Sequence, residues 1–361
     1  MWKEMINVYN PYNSMKALAH RERIEAAVRW VNGAEENLQP PVTLTIDPTN
    51  LCNVHCSWCE YKDYRSSNLT SISDVRLLEI PVFLKEWGVK NVVLSGGEPL
   101  FHPRIVDFLK ELDKNSIRVG IKTNGLCLEK DGIRKAVLKY VEWVEFSVDA
   151  ATSTTYLRVK KAGLDYFDKV MTNIRWLAQN RGDDGRPKIT MCFLIHHTTF
   201  NEQFGFCDLA KTMGADIALI RPIYLSRYRF SQGMRKQSEY YLREARKELE
   251  DETFHIYGIV HKVEREWNRA IRFRKCYATP LIGVLGADGK FHPCPDRRGD
   301  EEFSLGKWYP FEAFLKRWGS KSHRELLTRI VPRACPRCEV CIVNELVEKC
   351  INKDGMSLNY I

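Results

Sequence analysis

The chain has 361 residues, 44% of them hydrophobic and 28% charged, and a formal net charge of +9. This permits a sizeable core, as one large domain with a smaller one or as two moderate domains, and excludes a disordered chain. No segment approaches the roughly 20 apolar residues that cross a bilayer, and no apolar stretch follows Met1-Trp2-Lys3-Glu4, so the default expectation is a cytoplasmic protein without membrane contact. Basic residues recur from Arg221 to Lys275, as solvated helix faces or as a funnel for an anionic substrate. No motif supports binding to nucleic acid.

In chain order, residues 14–32 read as an amphipathic helix, with Leu18, Ile24, Ala27 and Val31 among its apolar positions, ahead of Pro40-Pro41. Strand-like runs follow at 42–47, 92–95, 117–122, 144–148, 188–195 and 216–221, alternating with helical patterns at about 71–87, 103–114, 130–140, 165–179 and 201–213. Such βα repeats predict a parallel sheet with crossover helices. The repeat alone leaves a six-unit partial barrel, a doubly wound sheet and a fragment of an eight-stranded barrel open. Residues 233–252 read as a charged helix, and 255–272 as its continuation. Gly286-Ala287-Asp288-Gly289 signals a hairpin, and a last helix is expected near 310–328. The chain thus divides into an N-terminal helical extension (1–41), an α/β domain (42–232), a helical linker (233–275) and a metal-organised tail (276–361).

The 12 cysteines fall mainly into two groups. In so long a chain, without an export signal, clustered cysteines point to metal rather than to disulfides. Cys52, Cys56 and Cys59 sit in TNLCNVHCSWCEY directly after the first expected strand. Three thiolates on one loop can hold three irons of a [4Fe–4S] cube and leave the fourth open to a small chelating molecule. The alternatives are a zinc site that recruits His55, or buried reduced thiols. Ser95-Gly96-Gly97-Glu98-Pro99 follows the second strand, and its glycines let the backbone approach a ligand without Cβ interference. Downstream, Cys276 and Cys294 flank the hairpin, and Cys335, Cys338, Cys341 and Cys350 follow. A hairpin plus a CxxC turn supplies four thiolates, suited to a closed [4Fe–4S] cluster or to structural zinc.

The CxxxCxxC loop with Trp58, followed by the Gly-Gly-Glu-Pro turn, resembles the radical S-adenosylmethionine (SAM) superfamily. The cysteines after residue 276 resemble its C-terminal SPASM or shorter twitch region. This resemblance implies an α/β fold, a partial (β/α)6 TIM-like barrel of the radical SAM type with a small twitch/SPASM-like iron–sulfur domain. It implies Cys52, Cys56 and Cys59 as ligands of a SAM-binding [4Fe–4S] cluster, and Trp58, Gly96, Gly97 and Glu98 beside SAM. Thr123, Asn124, Ser147 and Asp149 follow or end barrel strands where cofactor contacts gather. Arg158 or Lys160 suits the SAM carboxylate, and Asn201 and Arg221 suit the adenine or the substrate. The run Cys335-x2-Cys338-x2-Cys341-x8-Cys350 departs from the full SPASM pattern, which favours a single auxiliary [4Fe–4S] cluster on Cys276, Cys294, Cys335 and Cys338. Cys341 and Cys350 are then spare: buried thiols, replacement ligands or hydrogen-atom donors.

The expected enzyme cleaves SAM reductively to a 5′-deoxyadenosyl radical, using electrons from a reductant such as flavodoxin or ferredoxin. It removes hydrogen from a C–H bond of a small hydroxylated substrate (a sugar, aminoglycoside or nucleoside, with or without phosphate), giving oxidation, epimerisation or rearrangement. The alternatives are a peptide-modifying maturase and a non-catalytic metal-binding scaffold.

Overall fold

The computed structural model describes residues 19–59, 69–223, 231–258, 273–335, 338 and 340–348. In space the chain divides into two compact units, one of residues 1–45, 87–89 and 268–361, the other of 46–86 and 90–267.

The first unit opens with α1 (Arg21–Val31) and β1 (Thr43–Ile46). Ile24, Ala27 and Val28 lie on one face of α1 and pack against Tyr277, Leu281 and Val347. Trp30 packs against Phe303, Leu326, Leu327 and Ile330. The N-terminal helix therefore buries its apolar stripe in the cysteine-bearing part of the chain, for the hydrophobic gain that its spacing anticipates.

The second unit alternates helix and strand: α2 (Asp74–Trp87), β2 (Asn91–Leu94), α3 (Ile105–Lys114), β3 (Arg118–Thr123), α4 (Asp131–Tyr140) and β4 (Trp143–Ser147). It continues with α5 (Ser153–Lys160), α6 (Tyr166–Asn180), β5 (Lys188–Ile195), α7 (Gln203–Thr212), β6 (Ile217–Pro222), α8 (Gln232–Leu249) and β7 (His255–Gly258). Strands β2 to β7 pair in sequence order, each parallel to the next. A doubly wound sheet reverses its strand order at a switch point; β2 to β7 never do, which leaves a partial barrel or a fragment of an eight-stranded one, the former being what the resemblance implies. On β4, the Phe146 ring is 2.9 Å from where a Cβ of Gly125 would sit, with the α6 side chain of Val170 beside it, so Phe146 faces the helices. Trp143, Glu145 and Ser147 therefore point to the opposite, inner face.

Two elements depart from the sequence expectation. Residues 255–258 are strand, not helix: Asp251 caps a turn through Thr253 and Phe254, and the His255 N–H then donates to the Asp216 carbonyl to open β7. Four residues are too few for periodicity to reveal; residues 259–272 lie outside the described ones. Helix α5 was not anticipated; it is N-capped by the Thr152 hydroxyl.

In the first unit, β8 (Ile282–Leu285) and β9 (Phe291–His292) form the expected antiparallel hairpin, with β1 beside β8. Its turn has Gly289 at φ +79°, a conformation glycine adopts without strain. The helix expected at 310–328 is broken into α9 (Phe311–Leu315) and α10 (Lys321–Thr328), because Gly319 takes φ +76° and Ser320 begins a new helix as its N-cap. Helix α11 (Cys341–Leu346) closes the described tail.

Candidate functional site

In the second unit, the loop after β1 is anchored before it reaches its cysteines. The Thr49 hydroxyl is 2.7 Å from that of Ser71 and accepts the Leu51 N–H. The Thr49 and Leu51 carbonyls accept N–H bonds from Gly97 and Glu98, at 2.9 and 2.7 Å. This contact explains the paired glycines. A Cβ on Gly97 would lie 2.1 Å from the Leu51 carbonyl oxygen, and one on Gly96, at φ +110°, 2.6 Å from that of Thr49. The glycines make room for the cysteine loop itself as well as for any ligand.

The loop's other flank rests on the end of α5. The His55 N–H donates to the Lys160 carbonyl and the Ser57 N–H to that of Val159. Cys52, Cys56 and Cys59 are half-buried and form no disulfide. Burial pushes the Cys56 thiol up, and the cation of Lys160 pulls it back. The Lys160 ammonium donates to the Asp149 carboxylate at 2.6 Å, with both side chains buried. Burial opposes that charge, but Asp149 and then Cys56 outweigh it and hold the lysine above its ordinary pKa. Asp149, at φ +61°, also accepts the Leu194 N–H. A buried cation is thus fixed beside the loop that carries Cys56.

Glu98 closes the same region. Its carboxylate accepts the Thr123 hydroxyl at 2.7 Å and the Asn124 and Leu100 N–H groups at 2.8 and 3.1 Å. Burial nevertheless raises its pKa to about 7, against those three bonds. The Asn124 amide bonds to Asn53 at 2.6 Å and reaches the Cys52 sulfur at 3.8 Å. Asn53 in turn contacts the sulfur of buried Cys127. Trp58 is buried, its ring 4.8 Å from that of His196.

The first unit holds a second cysteine site. Cys276, Cys294, Cys335 and Cys338 all line one cavity, together with Asp296 and Arg297. The fully buried Asn344 on α11 accepts the N–H groups of Tyr277 and Ala278 and donates to the Cys276 sulfur at 3.6 Å. Arg297 donates to the Cys335 sulfur at 3.6 Å. Buried Cys341 hydrogen-bonds to Cys338, and that hydrogen bond, followed by burial, drives the Cys338 thiol far above its ordinary value. Cys350 lies outside the described residues.

Both donor sets are thiolate sets of the kind that ligates an iron–sulfur cluster or structural zinc. A tetrahedral zinc site brings its sulfurs to about 3.8 Å from one another, given Zn–S near 2.3 Å. Among the described residues no three Cys, His, Asp or Glu side chains converge in that way. Thiolates bound to different irons of a cluster are held farther apart than that.

Comparison with known proteins decides the class. Residues 46–205 match the family model of the radical SAM superfamily. The chain carries a radical SAM domain. A probable GTP 3′,8-cyclase from Saccharolobus islandicus is 25% identical over 269 residues, spanning 71% of this chain and 83% of the relative. One from Methanothermobacter marburgensis is 29% identical over 191 residues, spanning 52% and 59%. Among solved structures, Streptococcus suis SuiB bound to precursor peptide SuiA superposes with TM-score 0.64 at 16% identity, covering 95% of this chain and 80% of its own. The structure of anSMEcpe with bound AdoMet and Kp18Cys peptide gives 0.58 at 16% identity, covering 86% and 96%. At such identities the likeness is one of fold. The radical SAM class makes the chain a SAM-cleaving enzyme.

Around the radical SAM domain's cysteine loop the structure gathers Trp58, Gly96, Gly97, Glu98, Thr123, Asn124, Asp149 and Lys160. Ser147 is half-buried at the end of β4. Arg221 reaches inward from β6 to within 3.6 Å of the buried Glu145 carboxylate. Arg158 and Asn201 are exposed, and the Arg158 backbone carbonyl accepts the Ser57 hydroxyl. Sequence reasoning reads Asn53 as an ordinary polar loop residue without chemistry and gives Cys127 no role; both join the site through loop geometry. It passes over Glu202, whose carboxylate accepts from Ala151, Thr152 and Thr155 and ties the turn after β5 to the start of α5. No local pattern announces such a long-range bond.

Proposed function

We propose that this radical SAM enzyme abstracts hydrogen from a C–H bond of a polypeptide, and that Cys276, Cys294, Cys335 and Cys338 hold an auxiliary [4Fe–4S] cluster. The observation behind the chemistry is the three-thiol loop, held between the Gly96-Gly97 turn and α5 with Lys160 buried beside it. Cys52, Cys56 and Cys59 would hold a [4Fe–4S] cluster, which when reduced would supply the electron for reductive cleavage of SAM. The chain's own residues bind and orient. Asn124 steadies the Cys52 sulfur, the Asp149–Lys160 pair offers a fixed cation to anionic groups, and Gly96 and Gly97 keep side chains out of the turn. The four-thiol cavity offers a thiolate to each iron of a cluster, and a cluster so held would suit electron exchange rather than SAM binding.

The polypeptide reading is supported by the fold shared with SuiB and anSMEcpe, whose structures hold peptides and cover most of this chain. It takes precedence over the small hydroxylated substrate expected from sequence. A nucleotide substrate is the second reading, supported by the probable GTP 3′,8-cyclases. The test is anaerobic: reconstituted, reduced protein is given SAM with either a peptide encoded next to its gene or GTP. 5′-Deoxyadenosine formed in step with a mass change in the peptide supports the proposal. Turnover of GTP alone overturns it in favour of the second reading. Absence of 5′-deoxyadenosine under all conditions counts against both.

A further inference from the structure

Arg297 has no part in the chemistry above, yet three contacts hold it at the second cysteine site. It lies in a short turn, Pro295–Arg297, immediately after Cys294. One Nη donates to the Cys335 sulfur at 3.6 Å, the other to Asp300 at 2.9 Å, and the guanidinium lies 4.3 Å over the Phe303 ring. Its side chain is only 13% exposed, against 33% for Asp300. The carboxylate that balances it is therefore better solvated than the guanidinium itself, and the N–H aimed at sulfur faces the cavity. A bond of this kind draws electron density from a thiolate and favours the electron-richer state of any cluster that the thiolate binds.

We propose that Arg297 raises the reduction potential of the auxiliary cluster through its N–H···S bond to Cys335, an inference that rests on the four-thiol cavity holding a cluster. Arg297 is a positioning residue here; it acts on the cluster through its ligand. A merely structural arginine, stapling the turn after Cys294 to the turn at Cys335, would affect cluster retention but not the potential of a cluster that is retained.

The experiment compares the reconstituted full-length wild type with Arg297→Gln and Arg297→Lys, measuring iron per chain and titrating the reduced-cluster EPR signals against potential. The signal that changes on adding SAM belongs to the first cluster, and the other to the auxiliary one. In Arg297→Gln, iron stays near eight atoms per chain, about four for each [4Fe–4S] cluster. At fixed ambient potential, the oxidised-to-reduced ratio of its auxiliary cluster rises about tenfold, a shift of about 59 mV to more negative potential for one electron. Arg297→Lys, which keeps the charge, shifts less in the same direction. An unchanged or more positive potential in Arg297→Gln with its iron retained overturns the proposal. If the glutamine variant loses the auxiliary cluster, the lysine variant decides: a more negative potential supports the proposal and an unchanged one overturns it. A wild type with only about four irons, all SAM-responsive, refutes the auxiliary cluster itself and the arginine inference with it.

Discussion

The two cysteine sites solve different problems with the same side chain. At the first, Cys52, Cys56 and Cys59 share one short loop, and backbone groups hold it: Gly97 and Glu98 N–H groups on one side, Lys160 and Val159 carbonyls on the other. At the second, four thiols from separate stretches of chain converge on one cavity, and side chains hold them, through Asn344 at Cys276 and Arg297 at Cys335. A site that must leave an iron open needs a rigid loop with few ligands. A closed site can take ligands from anywhere the fold brings them, and its surrounding donors then tune it.

The comparison is broken most sharply by removing a ligand from one site only. Cys56→Ala is expected to reduce 5′-deoxyadenosine formation to background, while iron falls from near eight to near four atoms per chain as the auxiliary cluster stays. Loss of all iron would mean that the two sites do not assemble independently.

The buried ion pair beside the first site comes next in size. Lys160→Met leaves the Asp149 carboxylate buried without its cation, and removing one partner of such a pair costs about 3–5 kcal/mol. Chemical denaturation should show the double variant Lys160→Met/Asp149→Leu recovering much of that loss. A double variant as unstable as the single would show that the pair is not coupled.

Gly97→Ala sharpens the claim that backbone holds the first loop. Its Cβ would meet the Leu51 carbonyl at 2.1 Å, and overpacking of this kind costs about 1–3 kcal/mol. Iron at the first site should fall while auxiliary iron is unaffected, read by iron analysis and by the SAM-responsive EPR signal.

The smallest effect is a pH slope. The folded-state pKa of Glu98 is raised from an ordinary 4.5 to about 7, so the native state holds this proton more tightly than the unfolded chain. Its contribution to stability is fully present below about 4.5 and is lost as pH rises towards about 7. Denaturation of the iron-free protein across that window should show stability falling with pH, and Glu98→Gln should flatten the slope. An identical slope in the variant would place the titration elsewhere.

Much of this was legible in the sequence. The spacing of Cys52, Cys56 and Cys59, the Gly96-Gly97-Glu98 turn and the βα repeat are local patterns, and a loop site built from consecutive residues leaves a local trace. Asn53 reads as an ordinary loop residue in sequence, and Cys127 and Glu202 carry no signal, since each acquires its partner across many residues of chain. Strand β7 was hidden by its shortness, and the break between α9 and α10 by a single left-handed glycine inside an otherwise helical stretch.

The sequence by itself determined which residue types could ligate metal and the order in which strands follow one another, because hydrophobic period and cysteine spacing are properties of neighbouring residues. Only the tertiary structure decided what those residues meet. It paired Lys160 with Asp149 and seated the Gly97 backbone against Leu51. It also turned Arg158 outward while burying Lys160, and aimed Arg297 at Cys335. Burial, close approach and charge pairing depend on which distant segments the folded chain brings together, and no stretch of sequence encodes them alone.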